Sequence, residues 1–217
     1  MKNYLCIRNE GVCDYRLFTL LGASTARGEA EKIGQFGSGA KHGALTLLRK
    51  GIVPIVKLGT DELTYYTEEI ELHGKKQKQL GIAFKGEKSL QSMVLDFGGL
   101  DWQSPHMALR EYVSNAIDAG KWDVTLEDDA IGVEGETRIY IPLDTEILEY
   151  YNNLSRYFLH VAGMEKAPVI PNLTEEKCRV YRKGVLVGSL AFTSCYHYNL
   201  DDIPLDESRN IKSYEGS

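Results

Sequence analysis

The segment ALREYVSNAIDAG, Ala108 to Gly120, constrains this chain more than any other stretch. At 100° per residue, Glu111, Asn115 and Asp118 fall within about 60° of one another on a helix. Leu109, Tyr112, Val113, Ala116 and Ile117 cover most of the remaining circumference. Such a helix packs on several sides, and its carboxylates and amide then sit at the edge of a core, where magnesium, water or a ligand must satisfy them. A surface helix with its polar side in solvent has the same spacing, so the stripe alone leaves both readings open.

A second motif bears on that choice. IGQFGSGAKHG, residues 33 to 43, runs directly into the helix-like ALTLLRK. Gly34, Gly37 and Gly39 permit close backbone approach, so the amides of Gln35 to Ala40 can cradle phosphate at the start of the following helix. The spacing G-x-x-G-x-G is not a Walker loop, which needs G-x-x-x-x-G-K-[ST]. No buried strand directly precedes it, as a Rossmann fingerprint requires.

Together the two segments resemble the GHKL, or Bergerat-fold, ATPases, the superfamily of gyrase, the heat-shock ninety-kilodalton chaperone, histidine kinases and MutL. IGQFGSG is similar to the chaperone's lid glycines, IGQFGVG. LREYVSNAIDAG is similar to its LRELISN-DA helix and to MutL's ELVENSLDAG. In those families the Glu/Asn helix comes first and the glycine loop later. Here the order is reversed, so the chain resembles a circular permutation of that fold. The resemblance implies an α+β, two-layer α/β sandwich of Bergerat type, a mixed sheet covered on one face by helices. It places a permuted ATP-binding domain over residues 1–165 and a small or incomplete second domain over 166–217.

The remaining sequence follows that order. YLCIRNEGVCD reads as an apolar strand ending at Asn9, Glu10 and Gly11, where the family has its D-x-G-x-G box. LFTLLGASTARGEAEKIGQFGSG resembles the chaperone's lid segment, with Leu21-Gly22 and Ser24-Thr25 at matching places. IVPIVKLG, ELTYYTEEIEL and QLGIAFKG read as strands by their branched and aromatic content, and WDVTLED and TRIYIPL as two more. The family's adenine-recognising aspartate falls on Asn9, and the second glycine of its box on Cys13. An asparagine oxygen still accepts a hydrogen bond but lacks the charge and adds a donor. Asp144, after RIYIPL, competes for the same role. VYRKGVLVGS and YNLDDIPLDESRN resemble the start of the chaperone's second domain, whose loop arginine falls on Arg209; a surface arginine is the alternative.

The resemblance implies a magnesium-dependent ATPase. Asn115 ligates magnesium through its side-chain oxygen, a hard donor for a hard cation. Glu111 takes a proton from, or orients, the attacking water. Asn9, Gly11, Gly34, Gly37, Ser38, Gly39, Asn115, Asp118 and Ala119 bind the nucleotide, and Arg209 stabilises charge on the transferred phosphoryl group. Movement of a lid over about Tyr15 to Lys32 then drives a protein partner or a homodimer. The alternative is a noncatalytic nucleotide-binding or protein-interaction module, favoured by Asn9 and by the short second domain. The layout also resembles uncharacterised permuted proteins of bacteriophages and bacteria, which points to a role in their conflict.

At 217 residues, 43% hydrophobic and 26% charged, the chain can bury a sizeable core. Its net charge of −6 argues against nonspecific nucleic-acid binding. No apolar run approaches about 18 residues and no basic-apolar leader is seen, so a cytoplasmic protein without membrane contact is expected. Cys6, Cys13, Cys178 and Cys195 show no C-x-x-C spacing and read as buried, reduced thiols. Cys195 and His197 are spaced as a nucleophile and base on one strand face, but no residue to orient the base is identifiable. Lys41 and His42 are placed either at a phosphate or on a helix surface. GKKQKQ at 74–79 and LEDD at 126–129 read as solvated turns, and Trp102, Tyr150, Tyr151, Tyr157 and Phe158 as packing residues.

Overall fold

The computed structural model describes residues 2–19, 32–33, 39–96, 102–174, 176–205 and 211. They form an α+β protein of two compact units, Met1–Tyr151 and Asn152–Ser217. The expected domain boundary at 165/166 falls inside the second unit.

In chain order the first unit contains β1 (Tyr4–Glu10), α1 (Gly39–Arg49), β2 (Ile55–Leu58), β3 (Asp61–Leu72), β4 (Lys75–Phe84) and β5 (Glu87–Val94). It continues with α2 (Pro105–Ala119), β6 (Trp122–Glu127), β7 (Glu136–Pro142) and α3 (Thr145–Asn152). Its seven strands make one sheet in the order β5-β4-β3-β2-β7-β1-β6. Every adjacent pair is antiparallel, which corrects the expectation of a mixed sheet. The reason is strand interleaving. β1 and β2, joined through α1, run in the same direction, but β7 lies between them; β6 and β7 also run alike, with β1 between them.

Side-chain alternation gives the sheet two characters. Leu5 and Ile7 on β1 stand opposite Ile141 and Ile139 on β7, and opposite Leu126 and Val124 on β6. Helix α2 packs on β1 and β6, and α1 packs along α2. Buried Leu45, Leu47, Leu109 and Val113 complete this core. On the other side, Arg8 reaches Asp123 at 3.0 Å and Glu136 at 3.3 Å, and Arg138 reaches Glu136 at 2.7 Å. Tyr140 Oη, 2.9 Å from Glu127 Oε2 and 2.8 Å from the Ile131 carbonyl, ties the loop before β7 onto that side.

The hairpins explain two departures from the expected elements. His73-Gly74 (φ 52° and 75°) and Lys85-Gly86 (φ 51° and 82°) are two-residue turns with both φ positive, the type I′ geometry that matches strand twist. Strand β4 therefore starts immediately after Gly74, so most of GKKQKQ is strand rather than a solvated turn. Leu126 and Glu127 likewise belong to β6. Strand β5 is not among the expected strands, because it is an edge strand with mostly exposed side chains and its residues do not alternate in polarity. Inside the hairpin, the Tyr66 ring covers its direct partner Gly81, where a Cβ would overlap the ring.

The second unit contains α4 (Leu154–Tyr157), β8 (Val169–Pro171), β9 (Lys177–Arg182), β10 (Val185–Thr193) and β11 (Tyr196–Asn199). These strands form a sheet in the order β10-β9-β11-β8, with β9 and β11 parallel. The RKGV sequence forms another type I′ turn at Lys183-Gly184, φ 51° and 75°. Leu159, Ile170 and Tyr181 make its core. Buried Asn199 accepts from the Gly184 amide at 2.9 Å and donates to the Glu165 carbonyl at 2.7 Å.

Candidate functional site

Helix α2 starts where Ser104 accepts a hydrogen bond from the His106 amide and Pro105 occupies the first turn. It ends at Gly120, whose φ of 84° suits glycine. Between these stops, Asp118 meets Ile33 and Glu111 meets Gly39.

The two motifs meet there. The Ile33 amide donates to Asp118 Oδ1 at 2.8 Å, across 85 residues of sequence. Tyr112 Oη donates to the Ala40 carbonyl at 3.2 Å. The Gly39 backbone lies against the Glu111 side chain so closely that a Cβ would overlap the carboxylate. Further along, a Cβ at Gly43 would lie 3.3 Å from Tyr112 Cζ. The described residues of the 33–43 segment thus contact α2 at its aspartate, its tyrosine and its glutamate.

Within this site Glu111 is 3% exposed, Asn115 and Asp118 are half-buried, and Ala119 is exposed. Asn115 follows Glu111 by one helical turn, so both side chains share a face. Asp118 is engaged with the Ile33 amide and thereby anchors the start of the glycine motif. Lys41 is not on a helix surface: it is 2% exposed. Burial brings its ammonium down to about 8, and the negative charge of Glu111 acts in the opposite direction. His42 packs its ring against Trp102, centroids 5.4 Å apart. Gly34, Gly37, Ser38, Arg209 and, within the expected lid, residues 20–31 lie outside the described residues.

At the end of β1, the Asn9 side-chain amide donates to the Glu10 carbonyl at 2.8 Å, so its donor is used within its own turn. Its cross-strand partner on β7 is Thr137, which sequence reasoning misses. Thr137 is buried; its hydroxyl donates to the Gly11 carbonyl at 2.8 Å and accepts from the Cys13 amide at 2.9 Å. Alternation along TRIYIPL holds a signal for it, since Thr137 shares the face of Ile139 and Ile141. Asp144 Oδ1 accepts from the Ile147 amide at 2.8 Å at the start of α3.

The cysteines divide by environment. Cys6 and Cys178 are buried, Cys13 is half-buried, and Cys195 is exposed, which corrects the expectation of four buried thiols. Cys195 sits at the bend that precedes β11, so its apolar neighbours in sequence do not cover it. Burial, reinforced by Glu127, pushes the Cys6 thiol up to about 12. His197 is buried, and its Nδ1 accepts from the Arg179 amide at 3.1 Å, so that nitrogen is committed to the backbone. Burial, then Arg179, lowers its proton affinity. With an aromatic disulfide reagent, Cys195 is expected to react promptly in the native protein, and Cys6 and Cys178 only after unfolding. Prompt native reaction of a variant with both Cys195→Ser and Cys13→Ser would contradict this assignment.

Among the described residues, no group of three or more His, Cys, Asp or Glu side chains is placed to hold a metal ion, and no helix is long and apolar enough to cross a membrane. No protein-family model, curated protein or solved structure matches the chain.

Proposed function

We propose that the first unit is a circularly permuted GHKL-type domain that binds ATP with magnesium and hydrolyses it, using the released energy to rearrange a lid and a protein partner or second copy. The observation that carries this reading is the contact of Gly39 with Glu111. Two motifs that are widely separated in sequence, and in reverse order for the family, lie against each other as phosphate-binding backbone and general base must.

The residues fit the group that the reading requires. The Asn115 side-chain oxygen is a neutral, hard donor at the edge of the site, and a magnesium ion held there would neutralise phosphate charge. Glu111 accepts a proton from water or orients it for attack. The amides at the start of α1 stabilise the phosphates, Asp118 holds the backbone segment that leads to them, and Asn9 offers its oxygen to the base. A cytoplasmic setting accords with reduced thiols.

A noncatalytic module is the second reading, and Asn9 in place of a carboxylate favours it. Calorimetric titration with a nonhydrolysable ATP analogue, with and without magnesium, separates the possibilities. Magnesium-dependent binding is expected in the parent, with about tenfold or greater weakening in Asn115→Ala. No binding by the well-folded parent would remove the nucleotide reading and leave a scaffold working through protein contacts.

A further inference from the structure

The second unit gathers basic side chains that its own fold does not use up. Arg179 on β9 stands directly opposite Ser189 on β10, and on its other side the Arg179 amide donates to His197 Nδ1 on β11 at 3.1 Å. The parallel register of β9 and β11, with Tyr198 beside Val180, puts the Arg179 and His197 side chains on one face of the sheet. Lys177 shares that face by alternation along β9. Arg156 of α4 joins them. Its carbonyl accepts from Tyr181 Oη at 2.9 Å, and its Nη2 lies 3.5 Å from Glu176 Oε2, which also pairs with Arg179 Nη2.

Donors in this row are left over. Arg179 Nε is buried and has no hydrogen-bond partner. His197 is 5% exposed, and because its Nδ1 accepts a backbone N–H, the ring proton sits on Nε2. That nitrogen has no partner among the described residues. Buried donors without partners are rare in folded chains, and they call for an acceptor from outside the chain. Charge narrows what that acceptor is. Among the described residues, the cations Lys177, Arg156 and Arg179 stand against the carboxylate of Glu176, an excess of positive charge in a chain whose net charge is −6. Lys177, Arg156 and Ser189 are exposed, so the face is open to a ligand.

We propose that Arg156, Arg179, Ser189 and His197 form an anion site that takes a phosphate group, as free phosphate or as a phosphate ester. The guanidiniums supply planar, charged donors, the imidazole a neutral N–H and the serine a hydroxyl. They come from three neighbouring strands and a helix. A planar carboxylate cannot meet donors from so many directions, whereas a phosphate presents three strong acceptor oxygens in a tetrahedral array. Glu176 weakens the site by repelling the ligand. The site is independent of the nucleotide reading, which concerns the first unit.

Titration of the full chain, carrying isotope-labelled histidine, with inorganic phosphate tests the site; a His197→Gln variant identifies the resonance of His197 Nε2. A saturable shift of that resonance is expected. The readout belongs to His197, so phosphate bound at the glycine motif is not counted. Arg156→Gln, at an exposed position, should weaken binding about threefold to fivefold, and Glu176→Gln should tighten it by a similar factor. No shift in the parent would overturn the proposal, as would an affinity that Arg156→Gln leaves unchanged. An equal response to acetate at the same ionic strength would also overturn it, leaving only general screening. Tighter binding of phosphoserine than of inorganic phosphate would assign the site to a phosphate ester, and the reverse order to free phosphate.

Discussion

Gly39→Ala is expected to lower folding stability by about 1–3 kcal/mol, the usual range for overpacking a filled site, and to abolish any turnover with it. The added methyl group would occupy the space of the Glu111 carboxylate. Glu111 cannot easily retreat, because α2 is packed against β1, β6 and α1. Gly43→Ala is the matched control on the same helix. Its Cβ would lie 3.3 Å from Tyr112 Cζ, a distance that a few tenths of an ångström relieve. The gain in helix propensity, up to about 1 kcal/mol, offsets that cost, so Gly43→Ala should be nearly neutral. Urea unfolding of both variants checks the contrast. Equal stability of Gly39→Ala and the parent would mean that the glycine is not needed for the approach of Glu111.

The second large effect concerns chemistry. Glu111→Gln should reduce ATP hydrolysis by about 10²–10⁴-fold, the range for loss of a positioned general base, while nucleotide binding survives. Glutamine preserves the volume beneath Gly39, so packing changes little. It cannot take a proton from water. Affinity should hold or rise, since a negative group has been removed from beside the phosphates. Phosphate release measured beside calorimetric binding separates the two quantities. Hydrolysis at the parent rate would exclude Glu111 as the base, and loss of binding together with hydrolysis would make it a ligand-holding residue.

Particular residues mark how far the sequence can be read. WDVTLED and TRIYIPL alternate well enough to be recognised as strands, and both are. The Glu/Asn helix carries its own cap, proline and terminal glycine, so its limits are local information. Strand β5 and the polar half of β4 escape a reading by pattern because a hairpin wet on both faces has no reason to alternate. Cys195 reads as interior from apolar neighbours that the bend before β11 leaves elsewhere. Thr137 is inconspicuous because its importance lies in bonds to Gly11 and Cys13, which precede it by more than a hundred positions.

By itself the sequence determined what depends on neighbours within a few positions: the α2 helix, its stripe of Glu111, Asn115 and Asp118, and the glycine-rich approach to α1. Only the tertiary structure decided that Gly39 lies against Glu111, that Asp118 holds the Ile33 amide across 85 residues, and that Lys41 is buried. Periodicity reports which face of an element is apolar. It contains nothing about which distant element will cover that face, and the cost of burying a charge is set by that cover.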